Sequence, residues 1–97
     1  MFSLIARFTF TSEAAVRGFD ALAVELASEV RRSEPRTLTY LVHAVADDPL
    51  VRVFYEVYQD REAFEAHQKT PHTQRFFAAY EQFTNDLQVD VLTPLEA

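Results

Sequence analysis

The chain has 97 residues and a formal net charge of −6 at pH 7, and 48% of its residues are hydrophobic, nine of them phenylalanine. This length is that of one domain, which we take to span residues 1–97. Nine scattered basic residues stand against fifteen acidic ones, so the chain lacks the basic stripe that binds nucleic acid or an anionic membrane surface.

Cysteine is absent, which excludes disulfides, thiolate nucleophiles and Cys-ligated metals. No apolar run approaches the roughly 20 residues of a membrane-spanning helix. The apolar N-terminal stretch is interrupted by Arg7 and has neither a basic start nor a cleavage site, unlike a signal peptide. We therefore expect a cytoplasmic protein.

The first predicted elements are a strand over residues 2–10 and a long helix. Apolar and polar residues alternate along the strand, as in a half-buried sheet. Ser12 is a suitable N-cap, Glu13 suits the first helical turn, and Pro35 prevents continuation. Between them one apolar stripe recurs at helical spacing: Val16, Phe19, Leu22, Ala23, Leu26, Ala27 and Val30.

A hairpin and a broken helix follow. Residues 38–45 and 51–58 alternate as two antiparallel strands, with Asp47-Asp48-Pro49 as the turn. Asp60 caps a short helix that ends near residue 69, and Thr70-Pro71 starts a second one. Apolar residues 87, 89 and 91 indicate a last strand. The order β-α-β-β-α-β predicts an α+β, ferredoxin-like fold, a four-stranded antiparallel sheet with helices on one face.

Such a sheet leaves its other face without helices, and that face must be polar or covered. Alternate residues of the third strand form one wholly apolar row, Val51, Val53, Tyr55 and Val57, and one that is half aromatic, Arg52, Phe54, Glu56 and Tyr58. Neither row suits contact with water. The pattern predicts a homodimer in which two sheets pack through their uncovered faces.

Residues 55–72 read YEVYQDREAFEAHQKTPH, a strand with Glu-x-aromatic followed by Asp, Ala, His and Thr-Pro-His. This segment resembles the signature of the antibiotic biosynthesis monooxygenase superfamily. Residues 34–40 (EPRTLTY) and 93–95 (TPL) are similar to two further segments of that superfamily. The resemblance implies a dimeric α/β barrel of two ferredoxin-like sheets, with a small-molecule pocket between sheet and helices in each subunit.

The chain departs from parts of this family. Arg36 replaces the usual glycine, so the turn there must differ from that of the family or avoid positive φ. Haem-degrading members use an Asn on strand one, a Trp on strand three and a late His; this chain has no Trp, and Phe77 falls at about the His position. The members that isomerise a phosphorylated sugar use an acidic residue and a His that fall here at Leu41 and near Ser28. We therefore do not expect haem degradation, and the isomerase of a small phosphorylated metabolite ranks third among the functions considered.

Glu56, His67 and His72 are the candidate catalytic residues. A carboxylate in an apolar strand row and two imidazoles near a helix break could move protons near neutral pH. The structural alternatives are an ion pair from Glu56 to Arg52, Arg75 or a His, a loop-orienting role for His67, and a backbone hydrogen bond from His72 at the helix start.

The candidate substrate-binding residues are aromatic: Tyr40, Phe54, Tyr58, Phe64 and Phe76. We expect no cofactor, because the single glycine rules out a nucleotide-binding loop. We also expect no metal, because the two histidines are five residues apart and lack the i,i+4 spacing of a helical pair.

These features predict a cofactor-independent monooxygenase that acts on a small aromatic, polyphenolic molecule held between sheet and helices. The phenolate would react directly with O₂ in a pocket from which phenylalanines exclude water. The alternative is a non-catalytic dimer that binds small molecules or serves in stress. Both functions require the same fold, whereas only the catalytic one requires that Glu56 and at least one His meet in the pocket.

Overall fold

The computed structural model describes residues 1–96. Four strands and three α-helices lie within this range: β1 (Phe2–Thr9), α1 (Glu13–Ser33), β2 (Thr37–Val45), β3 (Asp48–Tyr58), α2 (Arg61–Lys69), α3 (Pro71–Ala79) and β4 (Asp86–Leu92), with a 3₁₀ turn at Tyr80–Gln82. In this part of the chain no helix is both long enough and apolar enough to cross a membrane.

The strands form one sheet in the order β2-β3-β1-β4, and each neighbouring pair is antiparallel. Leu4, Ala6 and Phe8 of β1 pack with Phe54 of β3 and with the buried stripe of α1 in a single core. The helices therefore cover one face of the sheet. This arrangement confirms the predicted ferredoxin-like fold.

Side-chain caps set the limits of the helices as predicted. The Ser12 hydroxyl accepts from the Ala15 N–H, and the Asp60 carboxylate accepts from the Ala63 N–H. The Thr70 hydroxyl accepts from the Thr73 N–H at the start of α3, where Pro71 occupies the first turn. These bonds satisfy N–H groups that have no partner inside a helix. The cap at Thr70 also turns α3 away from α2.

The loop between β2 and β3 differs from the prediction. Residues 46–47 form the turn, and Asp48 already pairs with Val45 as the first residue of β3. The Asp48 carboxylate accepts the Leu50 N–H at 3.1 Å, which fixes the start of the strand. The turn at Arg36 lies at the other end of β2. None of the described residues has positive φ, so this turn avoids the left-handed region, which is one of the two outcomes expected.

The face of the sheet opposite the helices exposes fewer apolar side chains to solvent than predicted. Val51 and Val57 are already buried within the single chain, whereas Tyr55 and its cross-strand neighbour Leu41 are 37% and 47% exposed. The exposed apolar area on this face is thus centred on the Leu41–Tyr55 pair. The homodimer stays a prediction that rests on this pair.

Candidate functional site

A cavity of about 240 Å³ lies between the sheet and the helices. Its floor consists of side chains of β1, β2 and β3, and its roof comes from α2, α3 and one residue of α1. The edge strand β4 contributes Leu87 and Val89, beside the half-exposed Phe77 of α3. An engineered cavity of about 150 Å³ holds benzene, so this volume suits a small aromatic molecule.

Six of the eight predicted site residues line this cavity: Tyr40, Phe54, Glu56, Phe64, His67 and Phe76. Tyr58 does not line it. Its ring is fully buried behind the wall, and its hydroxyl donates to Glu56 Oε1 at 2.5 Å. His72 does not line it either, and its ring is directed away from the cavity toward Glu34.

Glu56 lies where the strand alternation of β3 directs it to the helix side, between Leu4 of β1 and Tyr40 of β2 in the register. Burial raises the pKa of this carboxyl, although the hydrogen bond from Tyr58 acts in the opposite direction. Among residues 1–96 no ion pair includes Glu56, and Arg52 instead binds Asp20 at 2.8 and 3.0 Å. The ion-pair alternative for Glu56 is therefore wrong.

His67 is packed between two tyrosine rings, with centroid distances of 5.4 Å to Tyr40 and 5.3 Å to Tyr58. Its Nδ1 lies 2.9 and 3.1 Å from the two carboxylate oxygens of Glu34. An ionised carboxylate only accepts hydrogen bonds, so Nδ1 carries a proton. In the neutral ring Nε2 is then left as a proton acceptor.

Glu34 is the residue that sequence reasoning missed. It follows α1 directly, and its carboxylate accepts hydrogen bonds from His67, His72 and, at 2.7 Å, the Thr37 hydroxyl. Burial alone would raise the pKa of Glu34, but these three hydrogen bonds outweigh it and lower the pKa to about 2. The one sequence signal was an acidic residue next to Pro35 in the EPRTLTY segment.

The break between α2 and α3 brings both histidines to this carboxylate. The Thr70 hydroxyl donates to the His67 carbonyl at 2.8 Å and also caps α3. The expected hydrogen bond from His72 to a helix-start backbone group was therefore wrong, because Thr70 fills that role. Glu34, His67 and His72 also offer three potential metal-ligand atoms that all lie within 4.8 Å of one another.

Three polar atoms are open to the cavity: the Tyr40 hydroxyl, the second carboxylate oxygen of Glu56, and His67 Nε2. Within residues 1–96 none of them has a protein hydrogen-bond partner, yet every fully buried side-chain nitrogen and oxygen has one. These atoms are thus accessible from the cavity that their residues line. Burial raises the pKa of Tyr40, with the negative charge of Glu56 adding to the effect, so the phenol stays protonated and can donate.

An apolar cavity with a few convergent polar groups is the common form of a small-molecule site. Here the groups comprise a hydrogen-bond donor, a carboxyl whose pKa is raised by burial and an imidazole held by a carboxylate. Together they can bind a hydroxylated aromatic molecule and move its protons. Among residues 1–96 no Lys or Arg lines the cavity, so it lacks the permanently charged side chains that bind a phosphate group.

A family model described as antibiotic biosynthesis monooxygenase matches residues 1–79. Among solved structures, one of Rv0793 from Mycobacterium tuberculosis is similar with a TM-score of 0.88 and 27% identity, covering 99% of this chain and 96% of that one. One of PA3566 from Pseudomonas aeruginosa has a TM-score of 0.87 and 27% identity, covering 98% and 94%.

A third structure, described as an antibiotic biosynthesis monooxygenase, has a TM-score of 0.87 and 28% identity, covering 99% of this chain and all of the other. No curated protein sequence matches the chain.

Proposed function

The chain belongs to the antibiotic biosynthesis monooxygenase family, and from this premise we propose that it is a cofactor-independent monooxygenase that acts on a small hydroquinone or related polyphenol. The observation that carries the proposal is His67, whose Nδ1–H is held by Glu34 while its Nε2 is open to an apolar cavity. A carboxylate that fixes an imidazole in this tautomer is a recurrent way to prepare a general base.

In the proposed reaction His67 Nε2 accepts a proton from a substrate hydroxyl, and the Tyr40 hydroxyl donates to a second substrate oxygen. The phenolate is electron-rich, so one of its ring carbons transfers an electron pair to O₂ in two one-electron steps and forms a C–O bond. The imidazolium returns its proton to the peroxide. The aromatic walls limit access of water to this intermediate.

The second half of the reaction breaks two bonds. Glu56 accepts the proton of the C–H bond at the oxygenated carbon, the O–O bond breaks, and the released hydroxide takes this proton to become water. The carbon is left as a carbonyl. In the overall reaction, one hydroquinone and one O₂ give one hydroxyquinone and one water, and the substrate supplies all the electrons. This stoichiometry requires no external reductant.

The apolar cavity does not favour the third function, isomerisation of a phosphorylated metabolite. A bound phosphate is normally met by Arg, Lys or a helix N-terminus. Among residues 1–96, no Arg or Lys lines this cavity. A neutral aromatic substrate fits its composition better.

The proposal is tested by O₂ uptake of the purified protein with a panel of mono- and bicyclic hydroquinones, after autoxidation is subtracted. We expect turnover that falls by about 10²- to 10⁴-fold in His67→Gln, the range for loss of a general base. His43→Gln is the matched control, because His43 is exposed on β2 and, among residues 1–96, the one hydrogen bond of its side chain is to the Val53 carbonyl. Saturable binding of hydroquinones with no enzyme-dependent O₂ uptake would favour the non-catalytic binding protein instead.

A further inference from the structure

A second feature of the molecule lies behind the cavity wall, where Glu34, His67 and His72 meet. The three residues come from the end of α1, from α2 and from the first turn of α3. Both histidines are buried, and the Glu34 side chain is only 9% exposed. Their ligand atoms, one carboxylate oxygen, His67 Nδ1 and His72 Nε2, all lie within 4.8 Å of one another.

We propose that Glu34, His67 and His72 form a binding site for a divalent transition-metal ion, with Zn²⁺ as the expected occupant. The five-residue spacing of His67 and His72 predicted no metal site, because two histidines on one helix need i,i+4 spacing to bind the same ion. The break at Thr70 removes that requirement by placing His72 on a separate helix, and Glu34 supplies the third ligand from more than 30 residues away.

The ligand set matches the chemistry of zinc. Two imidazoles and one carboxylate are a known three-ligand set for Zn²⁺ that leaves a fourth position for water. Zn–N and Zn–O bonds of about 2.0–2.1 Å place tetrahedral ligand atoms roughly 3.3 Å apart. His67 Nδ1 lies 2.9 and 3.1 Å from the Glu34 oxygens. Shifts of a few tenths of an ångström therefore convert the His67–Glu34 contacts into ligand separations. The contact between His72 Nε2 and Glu34 is closer and must lengthen more.

The site is also preorganised and reachable. Thr37 donates to the Glu34 carboxylate at 2.7 Å and orients it, as outer-shell partners of metal ligands commonly do. A second cavity, of about 170 Å³, is lined by Glu34, Thr37, His67 and Thr70. Arg36 lines it too, but its guanidinium is directed to Glu62 at 3.4 Å. The net charge of −6 favours the approach of a cation.

Metal binding has a consequence for His67. A metal on Nδ1 displaces the proton that now binds Glu34, so the neutral ring carries its proton on Nε2, the atom open to the substrate cavity. Nε2 then donates and no longer accepts. Zn²⁺ should therefore inhibit the oxygenase, an effect that rests on the proposed function, whereas metal binding itself does not.

The binding test uses the full chain after chelator treatment and titrates it with Zn²⁺ alone by calorimetry near neutral pH. We expect one Zn²⁺ per chain in the wild type and in His43→Gln. In His72→Gln the affinity should fall by at least the about 10- to 100-fold that follows loss of an outer-shell partner, because a direct ligand is removed. Circular dichroism checks that each variant is folded.

The wild-type protein provides a second readout that requires no variant. Long-range ¹H–¹⁵N spectra report the tautomer of each histidine, and we expect the His67 proton to move from Nδ1 to Nε2 when Zn²⁺ is added. A dissociation constant of about 1 mM or weaker, affinity equal in wild type and His72→Gln, or an unchanged His67 tautomer would each overturn the metal site. O₂ uptake by the metal-free protein is measured separately, so either proposal can fail without the other.

Discussion

Replacing Glu56 by glutamine separates a chemical role of this carboxyl from a structural one. The amide oxygen can still accept the hydrogen bond that Tyr58 donates at 2.5 Å. A hydrogen bond to a charged acceptor contributes about 1.5–3 kcal/mol and a neutral one about 0.5–1.5, so the exchange costs about 1 kcal/mol. Burial disfavours the charge, and its removal offsets this cost. We expect the free energy of unfolding to change by no more than about 1 kcal/mol.

Activity should respond much more strongly than stability. An amide cannot accept a proton, so O₂ uptake should fall by about 10²- to 10⁴-fold in Glu56→Gln. Glu81→Gln is the control, because Glu81 is exposed in the 3₁₀ turn. Breaking a buried pair costs about 3–5 kcal/mol. A loss of stability of about this size, with unchanged activity per folded molecule, would mean that Glu56 is structural and takes no part in catalysis.

The same variant tests the direction in which burial shifts Glu56. A carboxyl whose pKa is raised above its ordinary value of 4.5 binds its proton more tightly in the folded state, so its contribution to stability is complete below pH 4.5 and is lost as pH rises through the folded pKa. Wild type should therefore lose stability relative to Glu56→Gln above pH 4.5. Urea denaturation of both proteins across this range measures the slope, and an opposite slope would contradict the role of burial.

Three further changes test other parts of the structure. Glu34→Gln should lower the free energy of unfolding by about 1.5–3 kcal/mol in urea titrations, because one carboxylate accepts from two histidines and a threonine. A cost below about 0.5 kcal/mol would mean that this network is not structural. Tyr55→Asp, at the exposed Leu41–Tyr55 pair, should turn a wild-type dimer into a folded monomer in sedimentation, and a monomeric wild type would contradict the dimer. Gly18→Ala should destabilise the protein, because the new Cβ would lie 2.3 Å from the Phe83 ring, although alanine itself favours a helix over glycine by about 1 kcal/mol. The same change in a Phe83→Ala background should instead stabilise the protein, and thermal unfolding measures both effects.

Local sequence patterns predicted the elements that position the cavity. The alternation of β3 predicted that Phe54, Glu56 and Tyr58 share one face of the sheet, and the family resemblance implied that this face lies under the helices; each of them lies on that side. The caps at Ser12, Asp60 and Thr70 act through the hydroxyl or carboxylate of a single residue within three positions. Such short-range interactions can be read along a chain without knowledge of the tertiary contacts.

The features of the site that the sequence did not predict depend on contacts between distant segments. Glu34 meets His67 and His72 across 33 and 38 residues, and no period of a helix or strand relates these positions. The same distance concealed the three-ligand cluster, since the two histidines were judged by their spacing alone. Tyr58 is buried behind Glu56 and does not line the cavity. The alternation of a strand gives the face on which a side chain lies, but not how deeply it is packed.

The proposed function requires that the protein insert one oxygen atom from O₂ into an aromatic substrate without a cofactor. Metal-free protein is incubated with a hydroquinone under ¹⁸O₂, and the product and the water are analysed by mass spectrometry. We expect one ¹⁸O atom in the hydroxyquinone and one in water, at rates that depend on His67 and Glu56. Unlabelled quinone accompanied by hydrogen peroxide, or label incorporated equally by wild type, His67→Gln and Glu56→Gln, would contradict the proposed function.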